Sequence, residues 1–299
     1  MLSIFLELIP LSIMQGLILS LPATGIMISF RLFNTADLTP EGTFTLSAAI
    51  TGVCLSLQLS LPLTLLYVII GCGSIGALSR YISHTLNIDP LLSGIIILTM
   101  LFTVYLRIMG TSNLPLFDAP SLFLKNADDS LNYVIACAFV IIPLIGLYGY
   151  LKTYSGLIFL ATGKNPILCK SYGFSPLNFG LIAGSLASIF SGIGGSLMAQ
   201  YQEFADVNMG IGILVQALAS LMIGEVLLPP QSMLRQLIAP IIGSIAYQII
   251  SAFIISLGLA PTDLKLMTGV LVLAVIFMRH HNIAFFNRLA TSKPKGGKS

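Results

Sequence analysis

Charged side chains are scarce in this sequence. Asp, Glu, Lys and Arg make up 8% of its 299 residues, whereas a soluble domain usually carries about a quarter. Hydrophobic residues account for 56%, and apolar runs of roughly 18–24 residues, long enough to cross a ~30 Å hydrocarbon core, recur from end to end. The sequence therefore predicts an all-α, polytopic membrane protein, with residues 1–299 in a single transmembrane domain and no room for a soluble one.

Residues that would mark an enzyme or a metal centre are also sparse. The sequence shows no nucleophile–base pair and no dinucleotide fingerprint, and its cysteines have neither metal-ligand spacing nor a disulfide framework: Cys54, Cys72, Cys137 and Cys169. The terminal GGKS resembles the end of a phosphate-binding loop, but the pattern needs Gly where Ser292 stands. We expect no enzyme activity, metal or cofactor here, and any ATP hydrolysis on a separate subunit.

The distribution of Lys and Arg predicts the topology of the spans. Cytoplasmic loops carry an excess of these residues, and eleven of the fourteen fall on one side of a nine-span arrangement. This places the N-terminus outside, and the C-terminus with the basic tail 279–299 in the cytoplasm. The net charge of +3 reflects topology, so we expect contact with membrane lipids and none with nucleic acid. The predicted spans are about 8–30, 43–59, 61–79, 91–109, 132–151, 175–198, 209–228, 236–258 and 260–278.

The first and second parts of the sequence also resemble each other. Ala36-Asp37 aligns with Ala205-Asp206, and Gly73-Ser74-Ile75 aligns with Gly243-Ser244-Ile245. A third match at a similar offset relates 88–98 to 262–273. These matches predict two four-helix repeats, 8–109 and 175–278, which the extra span 132–151 places in opposite orientations. Inverted repeats of this kind are typical of transporters that open alternately to either side.

Polar residues cluster in two corresponding loops of the repeats. One interpretation is that they line or gate a translocation path, because polar backbone near a membrane must be buried in protein or line a cavity. The other is ordinary helix capping by Asp37 or Thr39 and by Asp206 or Asn208. The first cluster is expected near the cytoplasmic face. The candidate path residues are Asn34, Asp37, Glu41, Gln200, Glu203 and Asp206.

The segment 152–175 is too polar to span a bilayer. It carries three Lys and no acidic residue, which favours a cytoplasmic location. Pro166 suits the first turn of a short helix, Asn165 suits its cap and Gly173 suits its end. The alternative is a plain loop between two spans.

Three stretches carry a resemblance to a known family: ISFRLFNTADLTPEGTFTLSAA, ATGKNP followed by Gly173, and AQYQEFADVNMGIGILVQALASLMIGE. Over about residues 10–280 the chain resembles ABC importer permeases of the branched-chain amino acid and ribose type, in the branch paired with tryptophan/tyrosine-type binding proteins. The resemblance implies a dimer in the bacterial inner membrane, most simply a homodimer, that couples to cytoplasmic ATPases and receives its solute from an external binding protein.

The same resemblance assigns the cytoplasmic coupling region. The matching residues are Ala161, Gly163, Asn165 and Pro166, followed by Gly173. Family members usually have Arg just before the Ala, where this chain has Leu160, and Lys164 is the candidate replacement. Gly163 is expected where the backbone approaches the ATPase.

The function expected from these observations is that of the permease subunit of an ABC importer for a small organic solute, with an amino acid as the candidate. The alternative is a secondary carrier of the drug/metabolite type, which also has inverted repeats. A carrier needs ionisable groups deep within spans, and only Glu225 and Arg107 approach that description. A membrane-embedded enzyme would need a convergent His, Asp or Ser constellation, and the sequence shows none.

Overall fold

The computed structural model describes residues 2–117, 119–123, 129–258, 266–270, 272–274 and 277. Helices dominate these residues, and α1 continues into a π-helical turn at Ile28–Leu32. The helices are α1 Leu2–Met27, α2 Thr39–Ser56, α3 Leu61–Leu86, α4 Pro90–Met109, α5 Asp129–Lys152, α6 Tyr154–Lys164, α7 Pro166–Ser171, α8 Pro176–Gln202, α9 Ile213–Leu227 and α10 Met233–Ser256, and the strands are β1 Asn113–Pro115 and β2 Phe204–Asp206.

Six helical segments among the described residues are long and apolar enough to cross a membrane: Phe5–Leu32, Leu61–Leu86, Pro90–Met109, Ser130–Lys152, Pro176–Gln202 and Met233–Ser256. This confirms the predicted all-α, polytopic class. The predicted span 43–59 appears as α2, which begins four residues earlier and has 18 residues, and the predicted span 209–228 appears as the shorter α9, which has 15 residues. Non-helical chain precedes each of them. Most of the predicted span 260–278 and the whole tail 279–299 lie outside the described residues.

Helix boundaries follow local sequence signals. Pro occupies the first or second position of α2, α3, α4, α7 and α8, where its missing N–H costs nothing. The carboxylate of Asp89 caps α4 by accepting the N–H of Leu91 at 2.8 Å, and α4 ends at Gly110 with φ +70°. The sequence thus sets where these helices begin and end.

Two helices form the centre of the molecule. The most apolar stretch of α1 is 83% buried and that of α8 is 72% buried, against 28% for α3 and α4 and 22% for α5. The outer helices expose large apolar side chains such as Ile70, Met100 and Ile142. Such faces fit a hydrocarbon environment, and the central helices carry the contacts that hold the fold together.

Close backbone contacts bind the centre to its neighbours. A Cβ at Gly76 of α3 would overlap the carbonyl of Gly184 in α8, and one at Gly195 would overlap the carbonyl of Phe44 in α2. Small residues let helices approach in this way where apolar burial cannot drive association.

A short antiparallel ribbon joins the two halves of the chain. Asn113 pairs with Asp206, Leu114 with Ala205 and Pro115 with Phe204, and the Leu116 N–H donates to the Glu203 carbonyl at 2.8 Å. The sequence did not predict these strands, because three residues are too few to show the alternation typical of a strand.

The close contact of Gly76 with Gly184 gives the first prediction. Gly76→Val should lower the free energy of unfolding by about 1–3 kcal/mol or more, because the new side chain forces α3 and α8 apart. The matched control is Gly149→Val in α5, where nothing lies within 4 Å of an added Cβ. Thermal unfolding in detergent measures both, and equal melting temperatures for the two variants would contradict the role of this contact.

Candidate functional site

The helix α2 begins midway along α8. The Ser191 hydroxyl donates to the Pro40 carbonyl at 2.5 Å. At 1.5 Å per residue, Ser191 lies about 22 Å along a helix of about 40 Å. The first turn of α2 therefore lies level with the middle of the fold, whereas the sequence analysis expected this cluster near the cytoplasmic face.

The helix α9 begins at the same level as α2. The chain that leads into α9, however, starts beside the opposite end of α2. Ala205 lies beside Gly52, in the last part of α2, and Gly210 packs against Glu41 and Thr45 in its first part. The chain from β2 to Gly212 thus runs back along α2 without helical structure. The short helices α2 and α9 consequently meet at their N-termini.

Glu41 makes the contact between the two N-termini. Its Oε1 accepts the N–H of Gly212 at 2.9 Å, and Gly212, with φ +91°, is the N-cap of α9. A carboxylate beside a helix N-terminus is stabilised by the helix dipole and by the unpaired N–H groups there. A side chain from α2 therefore caps α9, 171 residues along the chain.

Asp37 is buried in an ion pair. It is 1% exposed, and its Oδ1 accepts the Thr39 N–H at 2.9 Å and the Thr39 hydroxyl at 2.5 Å. Its Oδ2 lies 3.4 Å from Nε of Arg80. Arg80 also donates to the Thr35 hydroxyl at 2.5 Å and lies over the Phe33 ring at 5.9 Å from the centroid. Asp37 thus accepts the N–H of the first residue of α2, although the N-cap position itself is Leu38, and the buried Arg80 is a partner that the sequence did not indicate.

The corresponding Asp206 makes the same turn. Its Oδ1 accepts the Asn208 N–H at 2.7 Å, two residues ahead, as Asp37 does with Thr39. Asp206 also lines a cavity of about 360 Å³ together with Asn208, Gln216 and Gln248. Asp206 thus closes a turn and faces open space, whereas the N-cap of α9 is Gly212. The predicted helix capping by Asp206 or Asn208 is therefore not observed, and the place of Asp206 on a path stays a prediction.

The other predicted path residues are dispersed. Asn34, with φ +54°, lines a different cavity of about 380 Å³ beside the segment 162–166. Gln200 is 3% exposed, and its Oε1 accepts the Leu122 N–H at 3.1 Å. Glu203 ends α8 with φ +61°. The structure therefore brings Glu41 together with the Asp206 segment, while Gln200 and Glu203 hold the chain that follows α4.

The segment before α9 has an open surface. Asn208, Ile211 and Gly212 are exposed, and Ile211 is 58% exposed. Three cavities, of about 530, 360 and 360 Å³, meet at Ile211. Irregular backbone is thus exposed level with the middle of α8.

The segment 152–175 contains two short helices, α6 and α7, rather than one. The Asn165 side chain caps α7 by accepting the Leu168 N–H at 3.0 Å, Pro166 is its first residue, and Gly173 follows it with φ +83°. The predicted cap, start and end are confirmed. Ala161, Gly163 and Lys164 belong to α6 instead.

Gly163 contacts its own chain and not the outer surface. A Cβ at Gly163 would overlap the Leu32 carbonyl and the Phe33 backbone. The fully buried Phe159 ring lies 5.3 Å from the Phe33 ring. Ala161, Lys164, Asn165 and Pro166 are exposed, and so is Ile167, at 81%. Gly163 thus fixes α6 to the chain that follows α1, and its approach to the ATPase stays a prediction.

A second long-range ion pair joins Arg31 to Glu225. Arg31 Nε and Nη2 donate to the two carboxylate oxygens of Glu225 at 2.5 and 2.6 Å. This bidentate pair joins the π-helical turn after α1 to the end of α9. The residues are 194 positions apart, and no local pattern in the sequence could have paired them.

The Asp37–Arg80 pair gives the second prediction. Arg80→Met should lower the free energy of unfolding by about 3–5 kcal/mol, because it leaves a buried carboxylate without its cation. The double variant Asp37→Asn/Arg80→Met should lose clearly less than the sum of the single variants. Arg107→Met, at an exposed position of α4, is the control and should change little. Additive losses in thermal unfolding would contradict the coupling.

Comparison with known proteins identifies the family. Residues 9–277 match the family described as the branched-chain amino acid transport system / permease component. The tyrosine transport system permease protein of Clostridioides difficile (strain R20291) is 36% identical over 282 residues, which is 94% of each chain. An uncharacterized protein of Rickettsia prowazekii (strain Madrid E) is 28% identical over 262 residues, 86% of this chain and 92% of that protein. No solved structure shows a significant match. Because the similarity runs through nearly the whole chain, the chain belongs to the permease component family of branched-chain amino acid transport systems.

Proposed function

We propose that this chain forms the membrane path of an ABC importer for an amino acid, with tyrosine as the first candidate solute. The observation that carries the proposal is the 36% identity, over 94% of both chains, to a permease named for tyrosine transport. The family membership also sets aside the alternative of a self-sufficient secondary carrier. As the permease component of a transport system, the chain works with a separate ATPase and a binding protein.

The path runs along the exposed segment before α9. Backbone without helical structure is tolerated at membrane depth only where protein buries it or water reaches it. Ile211 and Gly212 are exposed level with the middle of α8, so this side faces a water-filled path, a second permease copy, or both. A homodimer with the path between the copies satisfies this requirement.

An inverted repeat underlies the path. The units are residues 8–109 and 175–278, as the sequence analysis expected. Four features support this: α2 and α9 are both short, both follow non-helical chain, Asp37 and Asp206 make the same turn, and the two N-termini meet at Glu41. The packing also alternates, since α1 packs against α10 and α8 packs against α3. Rocking of one unit against the other would then open the path to each side in turn.

The coupling segment transmits the motion of the ATPase. With the N-terminus outside and the C-terminus in the cytoplasm of a bacterial cell, α6 and α7 lie on the cytoplasmic side. The exposed residues Ala161, Lys164, Asn165 and Pro166 form the docking surface. Gly163 and Phe159 pass its movement to Phe33, which packs against Arg80 and so reaches Asp37 at the start of α2.

ATP-dependent uptake tests the proposed function and is the third prediction. Proteoliposomes that contain this chain with its ATPase and binding protein should accumulate labelled L-tyrosine when ATP is supplied. The chain alone, under a proton or sodium gradient, should accumulate none. Gradient-driven uptake without the ATPase, or ATP-driven uptake of other amino acids with tyrosine excluded, would overturn the mechanism or the candidate solute respectively.

The coupling segment gives the fourth prediction. Asn165→Ala removes a cap that contributes about 0.5–2 kcal/mol to its helix, so it should weaken co-purification of the ATPase and lower transport while membrane abundance stays normal. Ser232→Ala is the matched control, because Ser232 caps α10 in the same way by accepting the Arg235 N–H at 3.3 Å. Equal ATPase recovery with both variants would show that α7 is an ordinary loop helix.

A further inference from the structure

A cavity of about 360 Å³ lies between α2, α4 and the non-helical segment before α9. Its walls are mainly carbon, with aromatic rings from α4 on one side and Ile211 on the other. Four of its lining side chains carry oxygen: Glu41, Thr45, Thr99 and Tyr105. The cavity therefore combines an apolar body with a few polar groups, as sites for small organic ligands usually do.

Glu41 is the one carboxylate among the described residues that line this cavity. Gly212 holds its Oε1, which fixes the orientation of the carboxylate. Within the described part of the chain, no Lys or Arg lies within ion-pair distance of it. A carboxylate held level with the middle of a membrane fold marks a path for ions or solutes by default, and it is best stabilised there by a cation.

The aromatic wall complements this charge. The rings of Phe102 and Tyr105 lie edge to face with their centroids 5.6 Å apart, and Phe102 is 44% exposed. Such a pair offers a surface against which another aromatic ring packs, and the ring faces attract an ammonium group.

The cavity also opens where the proposed path runs. Ile211 lines it and also lines the two cavities on the other side of the segment before α9. A solute that moves along this segment therefore passes the Glu41 carboxylate.

We propose that this cavity is a solute site within the path, where Glu41 pairs with the ammonium group of an amino acid and Phe102 and Tyr105 pack against its aromatic side chain. The inference rests on the proposed function and deepens it. In this proposal, side chains of α2 and α4 select solutes that carry a positive amino group.

Measurements of uptake distinguish the effect of the Glu41 charge from the effect of its hydrogen bond to Gly212. Glu41→Gln keeps an oxygen that accepts the Gly212 N–H but removes the charge, so tyrosine uptake by the complete complex should fall about tenfold or more. Phe102→Ala, which leaves the Glu41–Gly212 bond untouched, should also lower uptake. The control is Glu7→Gln, at an exposed position of α1, which should transport normally. ATPase recovery and melting temperature should match the native chain for all three.

A second measurement compares the reaction rates of cationic and anionic thiol reagents, which depend on the electrostatic potential inside the cavity. Thr99→Cys is introduced into a chain whose four native cysteines are replaced by Ala, and is treated with a cationic or an anionic methanethiosulfonate. The cationic reagent should be favoured, and Glu41→Gln should reduce the ratio of the two rates about tenfold. L-tyrosine should protect the thiol from both reagents.

The outcomes distinguish the two proposals. If the native complex transports no tyrosine, the proposed function fails, and the inference fails with it. If it transports tyrosine while Glu41→Gln transports equally well, or the rate ratio at Thr99→Cys does not depend on Glu41, the path stands and the site is overturned. A fall in uptake that is accompanied by loss of the ATPase or of thermal stability would show that Glu41 acts only as a cap, which also overturns the site.

Discussion

The requirement that buried backbone groups find hydrogen-bond partners governs this fold. Within a hydrocarbon layer, a break in a helix leaves N–H and C=O groups that water cannot satisfy. The chain breaks before α2 and before α9, and each break has its own compensation. Asp37 and Asp206 accept N–H groups within the breaks, the β1–β2 ribbon pairs the backbone of the second, and Glu41 caps α9 from the neighbouring helix.

The two breaks meet at the same place because α2 and α9 start level with each other. A continuous helix in either position would seal the centre of the bundle with side chains. The non-helical chain before each of these helices instead leaves space around Ile211, and the cavities there follow from that geometry. Exposed irregular backbone and the half-buried carboxylate of Glu41 line these cavities, which belong to the path in the proposed function.

A continuous series of contacts links the surface helices to this centre. Gly163 touches the backbone of Leu32 and Phe33, the Phe33 ring supports Arg80, and Arg80 holds Asp37. Each contact lies between groups with little freedom: backbone, a ring, a guanidinium and a buried carboxylate. A displacement of α6 is therefore hard to absorb by side-chain rotation before it reaches α2.

Signals that act over a few residues could be predicted from the sequence. Asn165, Pro166 and Gly173 carry the information for α7 in their own chemistry, and Asp37 and Asp206 do so for their turns. Contacts across long separations could not: Arg31 with Glu225, Arg80 with Asp37 and Glu41 with Gly212 depend on how helices pack. Hydropathy also overstated the helical length of 209–228, because an apolar segment has the same hydropathy whether it is helical or extended.

The second break also has a fixed length. The register of Ala205 opposite Leu114 sets one end, and the bond from Gly212 to Glu41 sets the other. An inserted residue between them would lengthen the chain between two fixed points and would have to bulge into the open space around Ile211. In related sequences, insertions and deletions should therefore be rarer between these two positions than in the turn at 228–232, whose hydrogen bonds join only nearby residues. The placement of alignment gaps would then show which loops of the family have a fixed length.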